Sequence, residues 1–135
     1  MTDLLLHHVS IVVRDLERSV LFYMEVFDLP RLERPPFKSE GAWIGVGDRQ
    51  VHLIKWPTGT FRTNPNIDIH DCHFAFCTAD FAGTVKRLEA MGFAEDLPDG
   101  DPKKLLMNRR GLAGFEQLYL LDPDLNMVEI NAAPM

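Results

Sequence analysis

The stretch HHVSIVVRDLERSVLFY, His7 to Tyr23, changes its period in the middle. From His8 to Val13, Val9, Ile11 and Val13 fall in one phase and His8, Ser10 and Val12 in the other, the two-residue repeat of a strand. From Leu16 onward Val20, Tyr23, Met24 and Phe27 recur at helical spacing. Asp15 stands at the switch and suits a helix N-cap, so the pattern predicts a helix over 16–28 that ends before Pro30. His7 falls in phase with the valines, on the helix-packed side or at the frayed start of the strand, and His8 faces the other way.

Reading outward, RLERPPFKSE carries Pro35 and Pro36 and reads as a loop or an interrupted edge strand. AWIGVG and QVHLIKW read as two strands around a turn at Gly47-Asp48. A turn-rich connection follows, and then the plan repeats. CHFAFC reads as a strand, Asp80 as an N-cap, and 81–91 as a helix striped by Phe81, Val85, Leu88 and Met91 and stopped at Gly92. A long polar loop holding a short strand leads to two strands around Asp122-Pro123-Asp124. His73 stands seven residues before Asp80, as His8 stands seven before Asp15. WIGVGDRQVHL (43–53) aligns with LLDPDLNMVEI (120–130). The offset is 65 between the histidines and 77 between His52 and Glu129, which assigns about twelve extra residues to the second half, in the 95–114 loop. One supersecondary unit is used twice, an α+β arrangement.

The duplication lines up His8, His52, His73 and Glu129. Each has apolar neighbours in the opposite strand phase, such as Val51 and Leu53 around His52 and Val128 and Ile130 around Glu129. The four therefore share the face away from the helices. A buried, unpaired Glu129 is costly, and a divalent cation held by imidazoles and a carboxylate would compensate it. Three His and one Glu form a nitrogen and oxygen donor set open to one ion of Zn, Ni, Co, Mn or Fe.

The chain has 135 residues, one domain by length. Its net charge of −6 argues against nucleic acid as a partner. No apolar run approaches the roughly 20 residues of a membrane span. MTDLLLHH lacks the character of a secretion signal. Cys72 and Cys77 fall in opposite strand phases and read as two reduced, buried thiols of a cytoplasmic protein.

HVSIVVRDLERSVLFYMEVFDL resembles the opening motif of the vicinal-oxygen-chelate superfamily, and LLDPDLNMVEI resembles its closing motif. The superfamily includes glyoxalase I, fosfomycin-resistance enzymes, extradiol dioxygenases and bleomycin-binding proteins. The resemblance spans nearly the whole chain. It implies a single glyoxalase-like domain of two paired βαβββ modules, about 4–56 and 71–133 with a linker at about 57–70. Their curved mixed sheets would surround a metal cleft. It implies metal ligands at His8, His52, His73 and Glu129, with Glu129 or His52 moving a proton. The activity implied first is that of a glyoxalase-type lyase or isomerase that binds a small molecule by two adjacent oxygens. Three alternatives stand beside it. An Fe(II) extradiol-type dioxygenase would use His8, His73 and Glu129 as ligands, with His52 as acid or base. The others are an epoxide-opening enzyme of the fosfomycin-resistance type and a metal-free bleomycin-resistance-like binding protein. Ser10 and Val12 stand on the first strand where some glyoxalases place a glutathione-binding arginine. A homodimer is implied too, in some members with modules exchanged.

Outside these four, His70 reads as a solvated loop residue. Lys103, Lys104, Arg109 and Arg110 read as a solvated loop surface or as a lid for an anionic substrate. Trp43, Trp56 and Phe61 could line an apolar pocket or belong to the core.

Overall fold

The computed structural model describes residues 2–135. They form two compact units, one ending at Phe61 and the other running Arg62–Met135. In the first, β1 (His8–Val13), α1 (Leu16–Val26), β2 (Arg31–Leu32), β3 (Gly41–Val46) and β4 (Arg49–Lys55) follow one another. In the second come β5 (His73–Cys77), α2 (Phe81–Ala90), β6 (Leu106–Asn108), β7 (Gln117–Leu121) and β8 (Met127–Asn131). The fold is α+β, with the order βαβββ in each unit.

Each unit holds one open four-stranded sheet, ordered β1-β4-β3-β2 or β5-β8-β7-β6. The first and last strands of a unit pair in parallel, and the remaining neighbours are antiparallel. The parallel pairing needs a crossover, which the helix and the two intervening strands supply. Side chains confirm the switch in period. The Asp15 carboxylate accepts the Arg18 N–H at 3.1 Å, and Asp80 accepts the Gly83 N–H at 2.9 Å. The β3–β4 hairpin turns at Gly47, whose φ of 57° suits glycine.

The duplication is exact in register. His8 lies opposite Gln50 and Ser10 opposite His52, while His73 lies opposite Met127 and Ala75 opposite Glu129. Val13, Val20, Tyr23, Ile44, Val51 and Leu53 are buried in the first unit, and Leu88, Leu105, Leu118, Leu120, Val128 and Ile130 in the second. On the other face of the second sheet, Tyr119, Leu121 and Met127 pack with Ile67, Ile69, Leu106 and Leu125.

Several sequence readings are corrected. The first helix ends at Val26 with Phe27 as its C-cap, because Asp28 turns to a φ of 56°. Met24 is 37% exposed, while Ser19 is fully buried, so the inner stripe is narrower than the apolar pattern suggests. The extra residues of the second half sit between α2 and β6, at 91–105, and form an isolated bridge between Ala94 and Lys104. Cys72 and Cys77 are both exposed, not buried. Cys77 shares the outward phase of β5 with His73 and Ala75, on a strand that is the edge of its sheet, and Cys72 precedes that strand. His7 lies before β1, exposed, with its ring edge-on to His8 rather than against the helix.

Candidate metal and proton-transfer groups

The strand register brings the sequence-selected residues together in pairs. In the first unit, β1 and β4 place the rings of His8 and His52 face to face, 3.9 Å between centroids and 14° between planes. Trp43, opposite His52 on β3, stacks on the other face of the same ring at 4.5 Å and 8°. His52 is thus buried between two rings. Its Nε2 donates to Gln50 Oε1 at 2.7 Å. Its pKa is held below the ordinary histidine value, first by burial and then by the charges of His8, His7 and Arg34. His8 Nδ1 lies 2.9 Å from His7 Nδ1. One of the two must donate, and when His8 does so its Nε2 keeps a lone pair.

The second unit answers with a ring and a carboxylate. His73 Nδ1 lies 2.8 Å from the Asp71 carbonyl. A carbonyl only accepts, so Nδ1 carries a proton, and in the neutral ring Nε2 is the acceptor. That Nε2 faces Glu129 Oε1 at 3.9 Å, too long for a hydrogen bond. With the ring neutral, two acceptor atoms face each other there. Two ligand atoms each about 2.1 Å from one ion stand roughly 3–4.2 Å apart, so this spacing fits a shared cation. Among the described residues, no group of three His, Cys, Asp or Glu side chains is set to hold a metal ion.

Glu129 is buried but not unpaired, unlike the reading from sequence. Gln117 Nε2 donates to its Oε1 at 3.0 Å and Asn131 Nδ2 to its Oε2 at 2.6 Å. The Tyr119 hydroxyl is a third donor. Burial first, then the bond to Glu129 and its charge, push the Tyr119 phenol up to about 12, so it stays a donor. Sequence reasoning missed Gln117, Tyr119, Asn131 and Gln50. Asn131 and Gln50 share a strand phase with Glu129 and His52 two residues away, a signal the sequence does hold. Tyr119 and Trp43 are the cross-strand partners of Glu129 and His52, which only the register reveals.

The remaining candidates have other employment. His70 is exposed, and its imidazole lies 3.4 Å from Asp68. Arg109 grips Glu95 with both terminal nitrogens, at 2.9 and 2.7 Å. Lys104 Nζ donates to the Glu95 carbonyl and Lys103 Nζ to the Met91 carbonyl. Three of the four basic residues thus brace the 91–105 segment, while Arg110 is exposed. Phe61 lies under the Arg14 guanidinium at 3.8 Å, and Trp56 is 51% exposed. Arg62 organises the connecting segment. It donates to Asp71 at 2.8 Å and to the carbonyls of Asn64, Asn66 and Leu125. It thereby fixes the residue whose carbonyl orients His73.

Known proteins share the fold. The family model of the glyoxalase/bleomycin resistance protein/dioxygenase superfamily matches residues 5–130. A protein of Arabidopsis thaliana named glyoxylase I 4 is 31% identical over 130 residues, 93% of this chain and 68% of its own. Lactoylglutathione lyase from Agrobacterium tumefaciens superposes with a TM-score of 0.65 at 20% identity, covering 96% of this chain and 93% of that one. A variant of the fosfomycin resistance protein FosX from Listeria monocytogenes, complexed with Mn(II) and 1S,2S-dihydroxypropylphosphonic acid, superposes with a TM-score of 0.70 at 16% identity, covering 100% and 95%. No helix among the described residues is long and apolar enough to cross a membrane. The chain belongs to the glyoxalase/bleomycin resistance protein/dioxygenase superfamily.

Proposed function

We propose that this protein is a divalent-metal-dependent enzyme of lyase or isomerase type, acting on a small molecule with two adjacent oxygens. Its candidate donors are His8, His52, His73 and Glu129, and the two units work as one domain. The observation that carries the reading is Nε2 of His73, a ring whose Nδ1 is engaged by the Asp71 carbonyl, facing Glu129 Oε1 at 3.9 Å. A cation relieves that opposition of acceptors, and imidazole with carboxylate suits several first-row divalent ions. When bound, the ion would supply Lewis-acid polarisation of the substrate oxygens.

The chain's own groups do the rest. Gln117, Tyr119 and Asn131 hold the Glu129 carboxylate in one orientation. The Asp71 carbonyl fixes the His73 tautomer. His52 and Glu129 are the groups that move a proton, and the depressed pKa of His52 keeps it a neutral base near pH 7. The relatives support the reaction class by name, glyoxylase I in one case and lactoylglutathione lyase in another. A second reading, an Fe(II) extradiol-type dioxygenase, draws support from the burial of His52 between two rings, which leaves His8, His73 and Glu129 as a two-His-one-carboxylate set.

Elemental analysis of protein purified without chelator should find about one divalent ion per chain, and the count should drop in His73→Ala and Glu129→Gln. Unchanged stoichiometry in both variants would overturn the reading. Oxygen uptake with Fe(II) and a catechol panel separates the dioxygenase from the lyase.

A further inference from the structure

We infer that Trp43 is a positioning residue that holds His52 beside His8 as a hydrogen-bonding group rather than as a second ligand to the same ion. The inference rests on the proposed function and narrows its four candidate donors to His8, His73 and Glu129.

An imidazole nitrogen binds a metal along its lone pair, which lies in the ring plane. Two rings can share an ion only where their planes meet close to both nitrogens. The planes of His8 and His52 diverge by only 14° and the rings are stacked at 3.9 Å. Planes so arranged meet on the order of 15 Å away, against a metal–nitrogen bond of about 2 Å. Ligation by both rings therefore requires one of them to leave the stack.

His52 is the ring that is held. Trp43 covers its second face at 4.5 Å, nearly parallel. Gln50 takes its Nε2 at 2.7 Å, from the same strand two residues away. Turning His52 toward an ion would break the ring contact and the hydrogen bond together, in a buried place where lost partners are costly. His8 has no such clamp: its exposed ring touches His7 edge-on and His52 on one face. The counterpart of Trp43 in the second unit is Tyr119, which reaches its ligand neighbour by a hydrogen bond instead of a stack. The same sheet position thus steadies the residue on the adjacent strand in both halves.

The test uses Zn(II), which is colourless and does not quench tryptophan, on the full chain. His52→Phe keeps a ring in the stack without a ligating nitrogen. Its Zn(II) affinity by calorimetry should stay within about threefold of wild type, while His8→Phe should lose about 100-fold or more, the scale of a lost ligand rather than a neighbour. In a Trp56→Phe background, which leaves Trp43 as the only tryptophan, emission should not change as Zn(II) binds. Imidazole nitrogen NMR shifts should show His52 protonated at Nε2 in wild type and in Trp43→Phe, which retains a flat ring. Trp43→Leu should give a mixed tautomer. A loss in His52→Phe as large as in His8→Phe, or a stoichiometric change of Trp43 emission with Zn(II), would overturn the inference while leaving the metal reading intact. The same Nε2 tautomer in Trp43→Leu as in wild type would overturn the role of Trp43. Wild-type protein that takes up no Zn(II), Mn(II), Co(II), Ni(II) or Fe(II) would overturn both.

Discussion

Tyr119→Phe isolates one hydrogen bond to a buried charge. The ring of Tyr119 is 4% exposed and packs with Leu121, Met127, Ile67 and Ile69, and phenylalanine keeps those contacts. Only the hydroxyl is lost, and with it one of three donors to the Glu129 carboxylate. A hydrogen bond to a charged acceptor contributes about 1.5–3 kcal/mol, so the metal-free protein should lose about that much stability. For a chain of this length the midpoint of thermal unfolding should fall on the order of 5–10 °C.

The cause is checked by a cycle with Glu129→Gln. That substitution removes the charge but leaves an oxygen, so the Tyr119 bond becomes one between neutral groups, contributing about 0.5–1.5 kcal/mol. Tyr119→Phe should therefore cost about 1 kcal/mol less in the Glu129→Gln background than in wild type. Chemical denaturation in the presence of chelator measures all four proteins. The phenol ionises only near 12, so the cost should be the same at about pH 7 and about pH 9. A cost below about 0.3 kcal/mol, or an equal cost in both backgrounds, would refute the assignment of Tyr119 as a donor to an ionised Glu129.

Two further outcomes follow from the surface. The Arg109 guanidinium holds Glu95 below the ordinary carboxyl value of 4.5, and a lowered carboxyl pKa stabilises the fold above 4.5 and loses that contribution as pH falls through the lowered value. The gap in Tm between wild type and Arg109→Gln should therefore narrow in acid, and a gap that does not narrow as pH falls would contradict the pairing. Cys72 and Cys77 are exposed, so a thiol reagent should titrate both in the native protein, whereas thiols that react only after denaturation would contradict the placement of β5.

Much of the fold could be read in the sequence because period and cap coincide. In His7 to Tyr23 the alternation ends at Val13, Asp15 caps, and the helical stripe begins at once, and the same sequence of signals recurs around Asp80. The phase of His8, His52, His73 and Glu129 was legible for the same reason, since strand faces alternate strictly. What lay beyond reach was everything decided across strands. That Trp43 stands opposite His52, and Tyr119 opposite Glu129, depends on register, and register emerges only when strands pair. The exposure of Cys77 depends on β5 being an edge strand, a property of sheet order that local pattern does not carry. The basic cluster read as a solvated loop surface or as a lid, and local pattern did not show that Glu95, fourteen residues before Arg109, is the partner Arg109 holds.

The two halves share a backbone plan but divide the electrostatics unequally. In the second unit, three neutral donors stabilise the Glu129 carboxylate without cancelling its charge. Donors so placed fix the carboxylate in direction. In the first unit the corresponding position is an imidazole whose pKa is depressed by burial and by neighbouring positive groups, so it favours the neutral form and adds no negative charge. On the proposed reading, attraction for a cation would reside in the second half, with Glu129 and with His73, whose Nδ1 the Asp71 carbonyl engages. The first half places an exposed imidazole at His8 and a clamped one at His52. A duplicated module thus yields unlike halves through the residues opposite His52 and Glu129: a stack where the neighbour is Trp43, a hydrogen bond where it is Tyr119.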